Sequence, residues 1–124
     1  MSPVAEALKT VAATLPAGVE LVAVSKFHPA EAIAEAYSAG QRIFGESRVQ
    51  ELSAKIPALP ADIRWHFIGH LQTNKVRKLL EAGPIALIES VDSERVLDAI
   101  DAESARLGIT SRVLMQVHVA AEET

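Results

Sequence analysis

VELVAVS, at residues 19–25, is β-branched and almost wholly apolar, and this stretch decides the fold. Such a run is typical of a strand that is buried on both faces of a parallel sheet. Shortly after it, Pro29 lies at the first turn of a predicted helix and Gly40 ends that helix. A buried strand that leads directly into a helix indicates the first part of a βαβ unit.

The rest of the chain repeats this alternation of strand and helix. Four more strands are predicted at RIFG (42–45), RWHFIG (64–69), IALIE (85–89) and RVLMQVHV (112–119). The helices between them are predicted from about Ser47 to Lys55, around Val76 to Leu80, and from an N-cap at Asp92 or Ser93 to Gly108. An amphipathic helix within residues 1–15 precedes the first strand.

Five strands separated by four helices, with short loops, predict an α/β fold with a parallel sheet. Each unit is about 20 to 30 residues long, a spacing that fits both a (β/α)₈ barrel and a doubly wound sheet. An open sheet of five strands would be complete at this length. A barrel would be about three strands short.

The composition describes one domain, residues 1–124, with enough apolar residues (49%) to bury a core. The net charge is −4 and the basic residues are scattered, which argues against binding to duplex nucleic acid. The chain has no cysteine for disulfides or thiolate metal sites, and this suits a reducing cytoplasm. We expect no membrane span, because no run of about 20 apolar residues occurs, and dinucleotide and P-loop motifs are absent.

The first predicted strand ends in Ser25-Lys26. Ligands of parallel α/β folds bind at the carboxyl ends of the strands, so Lys26 is the first candidate for chemistry. An amine beside the apolar core is favoured in its neutral form, which attacks an aldehyde to give a Schiff base. The alternative is a lysine that extends into water and binds nothing.

The second and third strands supply further polar residues. Ser47 either caps the next helix or offers its hydroxyl to a ligand, and Glu46 and Arg48 are expected in the mouth of the same site. A surface ion pair is the other interpretation of Glu46 and Arg48. His66 and His70 are four residues apart, which suits zinc on a helix, but the pattern here is that of a strand and we expect no metal site.

Five runs of the sequence resemble a known family, the pyridoxal phosphate homeostasis proteins. They are LVAVSK (21–26), AGQRIFGESRVQE (39–51), WHFIGHLQTNKV (65–76), SVDS (90–93) and VLMQVHVAAEET (113–124), in this order over most of the chain. The family is similar to the barrel domain of alanine racemase without its second domain. The resemblance therefore implies a single parallel (β/α) barrel domain of the TIM type, with about five of eight βα units present and the C-terminal part missing.

The resemblance also implies a cofactor, pyridoxal 5′-phosphate (PLP), and the residues that hold it. The family's lysine at the end of the first strand carries PLP as a Schiff base, and Lys26 occupies that position. Ser47 stands where the family usually has an asparagine that faces the cofactor, and His66 lies on a matching strand that lines the barrel. Such barrels hold phosphate in the loops after strands seven and eight, for which this sequence has no candidate. We therefore expect residues 1–124 alone to bind PLP weakly or not at all.

The function implied by the resemblance is storage of PLP in the cytoplasm and its delivery to PLP-dependent enzymes, without substrate turnover, by a monomer or weak dimer. A racemase-like PLP enzyme is the first alternative, and it needs an acid and a base on opposite faces of the substrate. Lys26 supplies one such group, whereas Tyr37, the one tyrosine, is predicted in mid-helix, away from the strand ends. A non-PLP α/β binding module is the second alternative.

Overall fold

A computed structural model describes residues 3–116. The strands are β1 (Ala23–Val24), β2 (Ile43–Glu46), β3 (Arg64–Phe67), β4 (Leu87–Val91) and β5 (Val113–Met115). The α-helices are α1 (Pro3–Ala12), α2 (Ala30–Ser38), α3 (Val49–Lys55), α4 (Val76–Ala82) and α5 (Glu94–Leu107). One 3-10 turn, Ile56–Ala58, follows α3, and another, Thr73–Lys75, precedes α4. The predicted alternation of strands and helices is confirmed.

The strand order decides which parallel α/β architecture the chain adopts. Within residues 3–116 every strand pair is parallel and the order is β1-β2-β3-β4-β5, so each strand bonds to the next one in sequence. Because parallel crossovers are right-handed, connections that always step in the same direction place their helices on the same face. A doubly wound sheet reverses its order and covers both faces. The chain therefore consists of barrel-type βα units, and the doubly wound alternative is excluded.

The helix-covered face of the sheet holds the core. Phe44 pairs with Trp65 across β2 and β3, and Phe67 pairs with Ile88 across β3 and β4. All four side chains are buried, and the Phe44 and Trp65 ring centroids are 6.0 Å apart. The helices complete this core with Ile33, Leu52, Leu79 and Ile100.

The opposite face of the sheet is the inner face of a barrel. Gly45 pairs with Val24 on one side and with His66 on the other. A side chain at Gly45 would meet Ile68 Cδ1 at 3.1 Å, so the glycine leaves room for Ile68 on this face. Because successive residues of a strand alternate between faces, Ser47 continues the row of Gly45 at the carboxyl edge.

The two outermost strands of the described sheet are shorter than predicted. Residues 19–25 pair only at Ala23–Val24, because this strand bonds to β2 alone. β5 is found at Val113–Met115. The predicted continuation of that strand to residue 119, with His118, lies outside the described residues.

Two inner boundaries also shift. β4 runs from Leu87 to Val91 instead of from 85 to 89, and it bonds to β3 and β5 over this stretch. α3 begins at Val49 and not at Ser47, because β2 continues through Glu46 and the chain needs two residues to turn.

The ends of α5 agree with the sequence prediction. The Ser93 hydroxyl accepts a hydrogen bond from the Val96 N–H at 3.2 Å, and Gly108 ends the helix with a left-handed φ of 69°. The helix is 14 residues long.

None of the helices within residues 3–116 has the length and apolar character needed to cross a membrane.

Candidate functional site

The carboxyl edge of the sheet brings two of the three predicted site residues to neighbouring positions. Lys26 follows β1 by two residues, Ser47 follows β2 directly, and β1 and β2 are hydrogen-bonded neighbours. His66 lies within β3, in register with Gly45. Among residues 3–116 no hydrogen bond or ion pair connects Lys26, Ser47 and His66 to one another. Lys26 and Ser47 lie at the carboxyl edge of the sheet, and His66 lies within β3, without a hydrogen-bond network between them in the described part of the chain.

Lys26 itself is exposed, and none of the described residues pairs with its amine. The apolar shielding expected from the sequence is not supplied by residues 3–116, because the preceding strand is short and Val24 on the inner face is 52% exposed. Phe27, directly after Lys26, is also exposed and has a left-handed φ of 65°. The backbone turns sharply at this point while the lysine side chain stays free.

Hydrogen bonds fix the backbone on both sides of Lys26. Before it, Ser25 donates its N–H to the Gly45 carbonyl at 2.9 Å, and the Ser25 carbonyl accepts from Lys55 Nζ at 3.0 Å. After it, Phe27 donates its N–H to a carboxylate oxygen of α3 at 3.0 Å. The position of Lys26 is therefore set by β2 and by α3.

A buried ion pair lies beneath this turn. Glu46 is fully buried, and its carboxylate accepts from Lys55 Nζ at 2.9 and 3.1 Å and from the Ser25 hydroxyl. Lys55 Nζ is also 3.1 Å from Oε2 of Glu51, so each of its three hydrogens has an acceptor. Charges buried to this degree need such partners, because removing an ion from water costs several kcal/mol.

The prediction that Glu46 lies with Arg48 in the mouth of the site is wrong. Glu46 pairs in register with Phe67, which belongs to the helix-covered core. β2 continues one residue further than predicted. The alternation of the strand therefore places the Glu46 side chain on the helix-covered face of the sheet. Arg48 is exposed, with its guanidinium 4.8 Å from the centre of the Phe27 ring. Sequence reasoning missed Lys55. The alternation of β2 places Glu46 on the core face, where a carboxylate requires a cationic partner, but this signal does not identify the residue that supplies it.

Glu51 is the outer carboxylate of this group, with 26% of its side chain exposed. It is the acceptor of the Phe27 N–H. That N–H, and to a lesser extent the Lys55 ammonium, hold the pKa of the Glu51 carboxyl below its ordinary value of 4.5. Glu51 is therefore ionised at neutral pH, where it accepts from the backbone after Lys26.

His66 lies half-buried on the inner face. Its Nδ1 is 3.2 Å from Oε2 of Glu89, which lies two residues beyond Leu87, the register partner of His66. His70 is exposed, and its Nδ1 is 3.9 Å from Oδ2 of Asp92. The two histidines therefore have separate partners. Within the described part of the chain, no three histidine, aspartate or glutamate side chains converge as a metal site requires.

Ser47 does not cap α3, which was one of its two predicted roles. The N-cap position is Arg48, and it makes no side-chain capping bond to the helix that begins at Val49. No residue from 3 to 116 pairs with the Ser47 hydroxyl, which leaves it available to a ligand. It borders a cleft of about 240 Å³ whose polar walls include Arg48, His70, Gln72 and Lys75.

The loop after β3 packs directly onto Ser47. A Cβ atom at Gly69 would lie 2.2 Å from the Ser47 carbonyl oxygen. Glycine is required at this close approach, because the atom that it meets belongs to the backbone and cannot rotate away. Gly69 therefore sets the distance between the loops that follow β2 and β3.

No protein-family model matches the chain. The chain is 43% identical over 103 residues to the pyridoxal phosphate homeostasis protein of Schizosaccharomyces pombe, an alignment that covers 83% of this chain and 44% of that protein. It is 43% identical over 111 residues to the protein of the same name from Homo sapiens, covering 84% of this chain and 40% of that protein. The chain thus spans less than half the length of these two relatives.

Solved structures match the fold. PipY of Synechococcus elongatus PCC7942, without PLP, superposes with a TM-score of 0.87 and 44% identity over 97% of this chain and 56% of that one. PipY with PLP bound superposes with a TM-score of 0.85 and 46% identity, over 94% of this chain and 55% of that one. Alanine racemase from E. faecalis, at 13% identity and a TM-score of 0.62, shares the fold alone. The barrel-type α/β fold predicted from the sequence is confirmed.

Proposed function

The chain belongs to the family of pyridoxal phosphate homeostasis proteins, and on that premise we propose that it binds PLP covalently through the amine of Lys26. It holds the cofactor for storage in the cytoplasm and for delivery to PLP-dependent enzymes, and it turns over no substrate. The observation that carries the proposal is the position of Lys26. Its amine is unpaired at the carboxyl end of β1, on a backbone held by β2 and α3.

The described residues suit the chemistry of PLP, whose aldehyde condenses with an amine and whose phosphate is anionic. Lys26 offers the amine, and Ser47 on the neighbouring strand end offers an unused hydroxyl. Arg48 and Lys75, in the wall of the adjoining cleft, are cations. We assign the covalent bond to Lys26, a hydrogen bond with the cofactor to Ser47, and the inner wall of the site to His66.

The position of the tyrosine favours binding without turnover. Racemase-like chemistry needs a second proton-transfer group opposite Lys26. The Tyr37 hydroxyl donates to Asp62 at 2.5 Å, and the Arg42 guanidinium lies 3.7 Å from the centre of the Tyr37 ring. Arg42 precedes β2 and Asp62 precedes β3, so this cluster lies at the amino edge of the sheet, opposite the edge that carries Lys26.

The first test is the absorption spectrum of the full-length protein with added PLP. We expect a near-ultraviolet to violet band that borohydride bleaches and that Lys26→Ala abolishes. Lys78→Ala, which removes an exposed lysine of α4, is the matched control and should keep the band. A wild-type protein without the band, or a band that persists in Lys26→Ala, would overturn the assignment.

The second test separates storage from catalysis. With PLP bound, we expect the full-length protein to leave L-alanine optically unchanged, because Tyr37 bonds to Asp62 at the amino edge of the sheet, opposite the edge that carries Lys26. Polarimetry measures the rate directly. Turnover above about 1 s⁻¹, which is enzyme-like, and its loss in Lys26→Ala would replace the storage function with a racemase-like one.

A further inference from the structure

Taking the PLP site at Lys26 as proposed above, we infer that Lys55, Glu46 and Glu51 are positioning residues for it, which hold the peptide groups on both sides of Lys26 and so place its amine for PLP. Glu46 and Lys55 are buried on the helix-covered side of the sheet. They therefore act on PLP only through the backbone.

The hydrogen bonds reach the site lysine from both directions along the chain. Lys55 Nζ donates to the Ser25 carbonyl at 3.0 Å, which fixes the peptide before Lys26. Glu51 accepts from the Phe27 N–H at 3.0 Å, which fixes the peptide after it. Lys55 and Glu51 are four residues apart on α3 and 3.1 Å apart at their charged atoms. A single connected group on one helix thus holds both neighbours of Lys26.

The backbone conformation of Phe27 is strained, which indicates that surrounding contacts maintain this turn. A left-handed φ of 65° is unfavourable for a residue with a side chain. Phe27 is 65% exposed, so burial of its side chain does not offset this unfavourable backbone conformation. Three contacts hold this turn: the Phe27 N–H bond to Glu51, the Arg48 guanidinium over the Phe27 ring, and the bond from the His28 N–H to the Ser25 carbonyl at 3.1 Å. Strain that surrounding contacts maintain occurs preferentially at functional sites.

The buried ion pair supports a role beyond packing. Glu46 and Lys55 are 0% and 8% exposed, and well-packed apolar side chains of similar size often stabilise such a position as well or better. An apolar side chain, however, could not donate to the carbonyl of Ser25, as Lys55 does. Glu46 compensates the charge of Lys55 and also accepts from the Ser25 hydroxyl. The ion pair is therefore explained by the hydrogen bond that Lys55 makes to the backbone beside Lys26.

The experiment measures the rate at which the PLP absorption band forms in the full-length protein. Glu51→Ala removes the acceptor of the Phe27 N–H, and Lys55→Met removes the bond to Ser25 while filling similar space. We expect each to slow band formation by about 10- to 100-fold, as a misplaced reacting group does. Glu51→Gln should recover most of the rate, because its amide oxygen still accepts the Phe27 N–H.

Glu103→Ala is the matched control, and it should react at the wild-type rate. Glu103 is also a helical carboxylate bonded to cations, Arg77 and Arg106, but it lies on α5, outside the group around Lys26. Thermal unfolding is measured on every variant. Where Lys55→Met fails to fold, Glu51→Ala decides, because its side chain is partly exposed and outside the buried pair.

Two results would overturn the inference. One is a wild-type rate in folded Glu51→Ala or folded Lys55→Met, and the other is a slow Glu51→Ala that Glu51→Gln does not rescue. Absence of the band from the wild-type protein, or its persistence in Lys26→Ala, would instead refute the PLP site itself. The failure of the positioning role and the failure of the proposed function are thus distinguishable.

Discussion

Lys26 combines an unpaired side chain with a fixed backbone. The amine has no partner among the described residues, while Ser25 and Phe27 on either side bond to β2 and α3. A lysine carries its amine on a flexible four-carbon stem. Fixing the backbone reduces the volume that the amine samples, and so lowers the entropic cost of bringing it to a bound aldehyde.

Glu51 makes the stability of the fold decrease on acidification, because its surroundings lower the pKa of its carboxyl. The Phe27 N–H and the Lys55 ammonium lower its pKa in the folded chain below the ordinary value of 4.5. The stabilisation from a lowered pKa is fully present above 4.5 and disappears as the pH falls through the lower, folded value. We therefore expect the unfolding free energy of Glu51→Gln to fall less steeply with acidification than that of the wild type.

Chemical denaturation of the full-length protein at a series of pH values, from neutral downwards, measures this difference. Glu6→Gln is the control, because Glu6 is exposed on α1 and its carboxylate has no partner within residues 3–116. Its curve should run parallel to the wild-type curve. A Glu51→Gln curve that also runs parallel to the wild type would contradict the prediction.

Individual site residues differ in how far the sequence reveals them. The place of Lys26 at a strand end follows from the apolar run before it, and its role stays a prediction. The prediction for Glu46 is wrong because it ends β2 at Gly45, one residue early, although alternation from Phe44 already assigns Glu46 to the core face. Lys55 reaches Glu46 only once α3 folds over the sheet, and no local pattern encodes that approach.

Among the elements, the loops after β2 and β3 pack closely against each other because Gly69 has no side chain. Gly69→Ala places a Cβ atom 2.2 Å from the Ser47 carbonyl oxygen, so one loop has to move. We expect a loss of about 1–3 kcal/mol of stability, as for other overpacked sites. Because Ser47 lies in one of these two loops, the change alters its position relative to the loop after β3, and the affinity for PLP should fall as well. Denaturation and titration with PLP measure the two effects.

Gly108→Ala is the control for this prediction. Gly108 ends α5 with a left-handed φ of 69°, and an added Cβ has nothing within 4 Å. The substitution should cost about 1–2 kcal/mol through backbone strain alone and leave PLP binding unchanged. A Gly69→Ala protein that binds PLP as Gly108→Ala does would contradict the proposed place of Ser47 in the site.

Element boundaries are predictable where the chemistry that sets them is local. Ser93 and Gly108 bound α5 through capping interactions within a few residues, and both were readable in the sequence. The paired length of β1 depends on its neighbour β2, so a seven-residue apolar run yields only Ala23–Val24. Strand ends therefore depend on tertiary pairing in a way that helix caps do not.

At the scale of the whole molecule, strand adjacency distinguishes a barrel from a doubly wound sheet. The spacing of strands and helices is the same in both, so the residues alone left the choice open and the family resemblance indicated the barrel. The order β1-β2-β3-β4-β5 settles it. Within residues 3–116, β1 and β5 form the sheet edges, and Val24 and Leu114 on them are exposed.

The location of the PLP adduct tests the central claim most directly. The chain has five lysines, and Lys55 is already engaged in buried ion pairs. The full-length protein is loaded with PLP, reduced with borohydride, digested and analysed by mass spectrometry. We predict that the adduct is found on the peptide that contains Lys26. An adduct on a different lysine, or on none, would contradict the proposed site.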